Sequence, residues 1–187
     1  MNLEQLLNTV PEYAKDLKLN LGNVTSQPEL TPQQAWGTAV SCAIAARNPQ
    51  LLESILDEAG KHLTEQAMFA AKAAAAVMGM NNIFYRFRHL SSNPKYATMP
   101  ARLRMQVIAK HGADPVDFEL WCIAVSAING CGVCVDSHEK VLQAKGVGEE
   151  VILATVRIAS IVHALAAVFD AEAANAAAPA TADLHQA

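Results

Sequence analysis

The chain repeats itself. Shifted by 85 residues (121 − 36), Trp36-x-x-Ala39-Val40-Ser41 falls on Trp121-x-x-Ala124-Val125-Ser126. At the same shift Glu65 meets Glu150, Lys72 meets Arg157, Ala74 meets Ala159 and Val77 meets Val162. One offset sustained over several segments marks a duplicated unit. Chance agreement between two Ala-rich amphipathic hairpins is the alternative. The unit is helical: Ala, Leu, Met, Glu, Gln and Lys dominate, and alternating runs of β-branched and aromatic residues are scarce.

Helix start and stop signals divide the chain further. Thr31-Pro32-Gln33-Gln34 puts Thr at an N-cap, Pro in the first turn and Gln three residues after the cap. Asp114-Pro115-Val116-Asp117 repeats that logic, and Gly112, Gly146 and Gly148 mark ends. The pattern predicts helices over Leu3–Leu17, Pro32–Ala46, Pro49–Lys61, Thr64–Arg88, Pro100–Lys110, Pro115–Ile128, Val133–Lys145 and Gly148–Phe169. Asn93-Pro94 and Pro100 mark a loop between the halves. The expected fold is all-α, one domain over 1–170 with similar halves at about 30–90 and 115–170. An Ala-rich flexible tail is expected over 171–187.

The duplication is unequal, and the inequality locates the chemistry. The later half carries Glu119, Cys131, Cys134 and His138; the matching places in the earlier half are Gln34, Ala46, Pro49 and Glu53. The earlier copy lacks both thiols and reads as scaffold. In Asn129-Gly130-Cys131-Gly132-Val133-Cys134-Val135-Asp136-Ser137-His138, two cysteines three apart open a helix on one side of it. Their sulfurs are then within reach of each other. Unpaired N–H groups at a helix start stabilise a thiolate, the species that attacks a peroxide oxygen or a disulfide sulfur. His138 follows Cys134 by one turn, the spacing that stacks an imidazole beside the sulfur. Glu119, one turn into the preceding helix, is the carboxylate expected to hold that imidazole. Asp136 and Glu139 lie off the face shared by Cys134 and His138.

Other readings are weaker. A Cys-x-x-Cys can be half of a zinc site, but Cys42 and Cys122 are single and sit in apolar helical patterns, where a cysteine packs as a small hydrophobe. No metal is expected. His62, His89, His111, His163 and His185 have no comparable setting, and Phe84 to His89 reads as core plus helix-end cations.

Bulk properties bound the setting. Charged residues are 17% and hydrophobic ones 52%, which leaves apolar surface for an oligomeric contact. A net charge of -4 gives no footprint for nucleic acid or an anionic membrane. Arg157 and His163 interrupt the longest apolar stretch, so a buried helix is expected there rather than a membrane span. The N-terminus has no signal-peptide pattern, so a soluble, cytoplasmic protein is expected. In that compartment a cysteine pair is more often catalytic than structural.

The run Glu119-x-x-Cys122…Asn129-Gly130-Cys131-x-x-Cys134-x-x-x-His138 resembles the AhpD alkyl hydroperoxide reductases of the wider carboxymuconolactone-decarboxylase-like group. Met80-Asn81-Asn82-Ile83-Phe84-Tyr85-Arg86-Phe87 is similar to that family's mid-chain signature. The likeness covers most of the chain and leaves out the tail. It implies an AhpD-like helical fold, a homotrimer and a weak alkyl hydroperoxidase. It also implies reduction of the disulfide of the peroxiredoxin AhpC, with electrons from dihydrolipoyl groups on a dehydrogenase-complex acyltransferase. No flavin, haem or metal cofactor is implied; the redox group is the Cys131–Cys134 disulfide itself. By position, Cys134 matches the peroxide-attacking cysteine, Cys131 its resolving partner, and His138 and Glu119 the proton relay. Some relatives carry a histidine between the cysteines, where this chain has Gly132-Val133. The alternatives are a general protein-disulfide reductase and a decarboxylase of the carboxymuconolactone type.

Overall fold

The computed structural model describes residues 1–177, and those residues hold helices and no strand. Two short helices, α1 (Leu3–Leu7) and α2 (Lys15–Val24), precede the first copy of the repeat, α3 (Pro32–Ala46), α4 (Pro49–Ala59) and α5 (Glu65–Leu90). A one-turn helix, α6 (Lys95–Thr98), lies in the connection to the second copy, α7 (Pro115–Ile128), α8 (Gly132–Ala144) and α9 (Glu149–Ala177). Moved by the offset read from the sequence, α3, α4 and α5 start and stop within three residues of α7, α8 and α9.

The starts follow from the caps. Thr31 and Gln34 form a reciprocal capping box on α3, with Pro32 in its first turn. Asn48 Oδ1 accepts from Leu51 N–H at 2.8 Å to open α4, and Asp114 Oδ1 accepts from Val116 N–H at 2.7 Å to open α7. Each copy buries its apolar stripe on the other: α3 packs on α4, α5, α7 and α9, and α7 on α5, α8 and α9. The closest approach is at Gly37, where a Cβ would stand 2.3 Å from the Trp121 ring. Trp121 is wholly buried there, its indole N–H donating to the Gln34 carbonyl at 3.3 Å. Gln33 and Gln34 also donate, at 2.7 and 2.9 Å, to the buried carboxylate of Asp117. Gln34, the counterpart of Glu119, is thus committed to joining the halves.

Three expected segments differ. The helix expected over Leu3–Leu17 is broken at Pro11 into α1, a 3-10 turn at Glu12–Ala14 and α2, because proline cannot supply the N–H that would continue it. Residues 100–110 do not form a helix. Arg102 adopts a left-handed φ of +53°, and only a 3-10 turn at Gln106–Ala109 remains. α9 runs past Phe169 to Ala177, into the expected tail. Alanine favours the extension, and it is tied down by Asn48 Nδ2 on Asp170 at 2.7 Å and Tyr13 O–H on Glu172 at 2.8 Å. The rest of that tail lies outside the described residues. α9 is long and apolar enough to cross a membrane by length and composition (mean hydropathy 2.1 in its most apolar 18-residue stretch). Its Ile158, Val162 and Leu165 are fully buried in the core shared with α3 and α7.

Candidate active site

The cysteines sit where two helices share a residue. α7 ends in a Schellman arrangement: Gly130 N–H donates to the Ala127 carbonyl and Cys131 N–H to the Ser126 carbonyl, each at 3.1 Å. Gly130 supplies the left-handed residue that this turn requires, at φ +65°. The carbonyl of Cys131 then accepts from Cys134 and Val135 N–H, both at 3.0 Å, and opens α8. Cys131 therefore closes one helix and caps the next. Its Cα is 5.3 Å from that of Cys134, and the two are joined as a disulfide. Their exposures differ in a way that matters: Cys131 is 0% exposed, whereas Cys134 is 7% exposed and lines a cavity of about 460 Å³.

The same cavity is lined by Glu119 of α7 and His138 of α8. The imidazole Nδ1 lies 2.6 Å from Glu119 Oε2, so the carboxylate singled out in the sequence does meet the imidazole. Its other nitrogen, Nε2, lies 3.2 Å from Met78 Sδ of α5. A thioether is a weak acceptor, so Nε2 can gain or lose a proton without breaking a strong bond, while the carboxylate keeps the ring oriented through Nδ1.

α5 fixes this arrangement from behind. Asn82 is wholly buried; its Nδ2 donates to Ser126 Oγ and its Oδ1 accepts from Asn129 Nδ2, both at 2.9 Å. The guanidinium of Arg86 donates to the Asn129 carbonyl. These bonds hold the C-terminal end of α7, from which the Schellman turn leads into α8. Sequence reading did not single out Asn82, Arg86 or Met78 for the site. The available signal was a pair of asparagines interrupting the apolar run of α5 with no cap or turn to explain them.

The remaining thiols are of a different kind. Burial pushes the Cys42 thiol up to about 12. Burial first, and the Glu119 charge second, hold Cys122 well above the ordinary thiol range. Both stay protonated, and both pack in the core. Among the other histidines, His62 stacks on Trp36 with ring centroids 4.9 Å apart, and His111 stacks on Phe118 at 4.0 Å. Burial holds His111 below the usual imidazole range, against the pull of Glu119 and Asp114. Among the described residues, no group of three or more His, Cys, Asp or Glu comes together in a metal-holding arrangement.

Comparison with known proteins gives one consistent result. The sequence model of the carboxymuconolactone decarboxylase family matches residues 94–179. A protein of Solibacter usitatus named alkyl hydroperoxide reductase AhpD is 79% identical over 173 residues, which cover 92% of this chain and 98% of that relative. Proteins of the same name from Acidobacterium capsulatum and Streptomyces griseus are 62% and 53% identical over 92% of this chain, covering 94% and 98% of their own lengths.

Proposed function

The chain belongs to the AhpD family, and from that premise we propose that it is an alkyl hydroperoxide reductase whose dithiol is Cys131–Cys134. The observation that carries the reading is that Cys134 lines the same cavity as a carboxylate-held imidazole, Glu119 and His138 being 2.6 Å apart.

The cycle follows from what each group can do. In the reduced protein, Nε2 of His138 takes the Cys134 proton across the cavity, and Glu119 stabilises the imidazolium through Nδ1. The start of α8 adds its positive end beneath the thiolate. The thiolate attacks the terminal oxygen of the hydroperoxide and the O–O bond breaks. The alkoxide leaves with the proton from Nε2 as an alcohol, and Cys134 holds a sulfenic acid. Cys131 attacks that sulfur, water departs and the disulfide closes. Two thiols and one hydroperoxide have then become a disulfide, an alcohol and water.

A dithiol must reopen the bond. Because Cys131 is sealed, the incoming thiolate attacks Cys134 and releases Cys131, and the donor's second thiol then displaces Cys134. We assign that role to dihydrolipoyl groups carried on a dehydrogenase-complex acyltransferase. The disulfide of the peroxiredoxin AhpC is a second electron acceptor at the same sulfur. The redox-active disulfide is the only prosthetic element the cycle needs, and a homotrimer in the cytoplasm is the expected setting.

A reconstituted assay tests this: dihydrolipoamide-dependent consumption of tert-butyl hydroperoxide, with and without AhpC. Cys134→Ser should abolish turnover, Cys131→Ser should form no intramolecular disulfide on oxidation by peroxide, and His138→Phe should lose about 10²–10⁴-fold. Full activity in Cys134→Ser would remove the proposal. A lactone decarboxylase needs no dithiol, so decarboxylation retained by the double Cys→Ser protein would support that alternative instead.

A further inference from the structure

One group on the cavity wall has no part in the cycle above. Asn81 lies on α5 between Met78 and Tyr85, and these three, at i, i+3 and i+7, form the stripe that α5 presents to the cavity holding Cys134 and His138. It is 5% exposed, and its Oδ1 is buried with no hydrogen-bond partner among the described residues. The adjacent Asn82 has both ends of its carboxamide engaged, so the orphan oxygen is specific to the residue that faces the cavity. An unpaired buried carbonyl is costly, and leucine of similar size would avoid that cost. The terminal torsion of asparagine is broad, so the oxygen can be presented at the wall.

An acceptor without a partner calls for a donor. An alkyl hydroperoxide has one, the O–H on its terminal oxygen, and that is the oxygen the thiolate attacks. We infer that Asn81 Oδ1 accepts this O–H and sets the terminal oxygen in line with Cys134. The hydrogen does not leave that oxygen in the transfer. The S–O bond forms, the O–O bond breaks, and the same O–H is now that of the Cys134 sulfenic acid. One acceptor thus serves substrate and intermediate, and the alkyl group lies outside the contact. This inference rests on the peroxide reading and names the positioning residue for its first step.

The test separates the two half-reactions. Reduced wild-type and Asn81→Leu proteins are mixed with hydrogen peroxide, tert-butyl hydroperoxide and cumene hydroperoxide, and thiol loss is followed in time. The oxidised proteins are separately mixed with dihydrolipoamide, which brings no O–O–H group. Asn81→Leu should oxidise roughly tenfold more slowly, the worth of one hydrogen bond, and by the same factor with all three peroxides. Its reduction by dihydrolipoamide should be unchanged, and its unfolding midpoint should not fall. Unchanged oxidation, equal loss in both half-reactions, or a loss graded by alkyl size would each overturn the role of Asn81. Asn81→Ala repeats the measurement should leucine disturb folding. If peroxide fails to close the disulfide even in the wild type, the functional proposal itself falls; a wild type that oxidises normally confines any failure to Asn81.

Discussion

Residue identity governs two places most strictly, and they differ in how far the sequence reveals them. Cys131, Cys134 and His138 are legible because their chemistry depends on residue type and on spacings of three and four within one helix. Glu119 is legible as a carboxylate one turn into the preceding helix. Met78, Asn82 and Arg86 reach the site across 60, 44 and 43 residues of chain, and no local pattern encodes such a meeting. Gly37 belongs with them. Nothing around it in the sequence calls for a glycine, yet the indole of Trp121 occupies the space of its missing side chain. Gly37→Ala should therefore destabilise the protein by about 1–3 kcal/mol, as overpacking of a tight core does. The urea midpoint measures it, and an unchanged midpoint would mean that α3 and α7 can slide apart at no cost.

At the scale of elements, capping chemistry made α3 and α7 readable to within a turn, since Thr31 and Asp114 each announce a start. Reading failed where the deciding interaction was not periodic. Pro11 splits the first segment, Arg102 turns left-handed, and two long-range side-chain bonds carry α9 beyond Phe169. The α7–α8 junction is an intermediate case. The glycine was visible, but the Schellman bonds that make Cys131 the shared residue were not. No neighbour lies near a Cβ built on Gly130, so alanine there meets only the left-handed backbone penalty. Gly130→Ala should cost about 1–2 kcal/mol in chemical denaturation of the oxidised protein. No loss at all would show that the turn relaxes into another conformation.

The whole molecule carries a pH signature of its own. In the oxidised protein Cys42 and Cys122 are the free thiols, and burial raises both. Their folded pKa values lie above the unfolded value of about 8.5. At lower pH both states hold these protons and stability does not depend on them. Above it the unfolded chain releases them while the folded one does not, so stability falls as pH rises. The slope should approach about 1.4 kcal/mol per pH unit for each thiol. Urea titrations of the disulfide form between pH 8 and 10.5 measure it, and Cys42→Ala should make the slope shallower. An identical slope in that variant would show that Cys42 ionises as freely folded as unfolded. The duplicated architecture was legible at this scale because the 85-residue offset spans whole helices. The inequality of the copies was also legible, Gln34 standing where the second copy has Glu119.

The unequal exposure of the two sulfurs has a consequence for traffic. Cys131 is sealed and Cys134 opens on one cavity, so in the proposed cycle whatever takes electrons from this protein and whatever supplies them must call at the same atom. Two visitors cannot occupy it together. On that cycle the molecule is a turnstile: each caller must depart before its opposite number is admitted, and an excess of either one blocks the other's entrance.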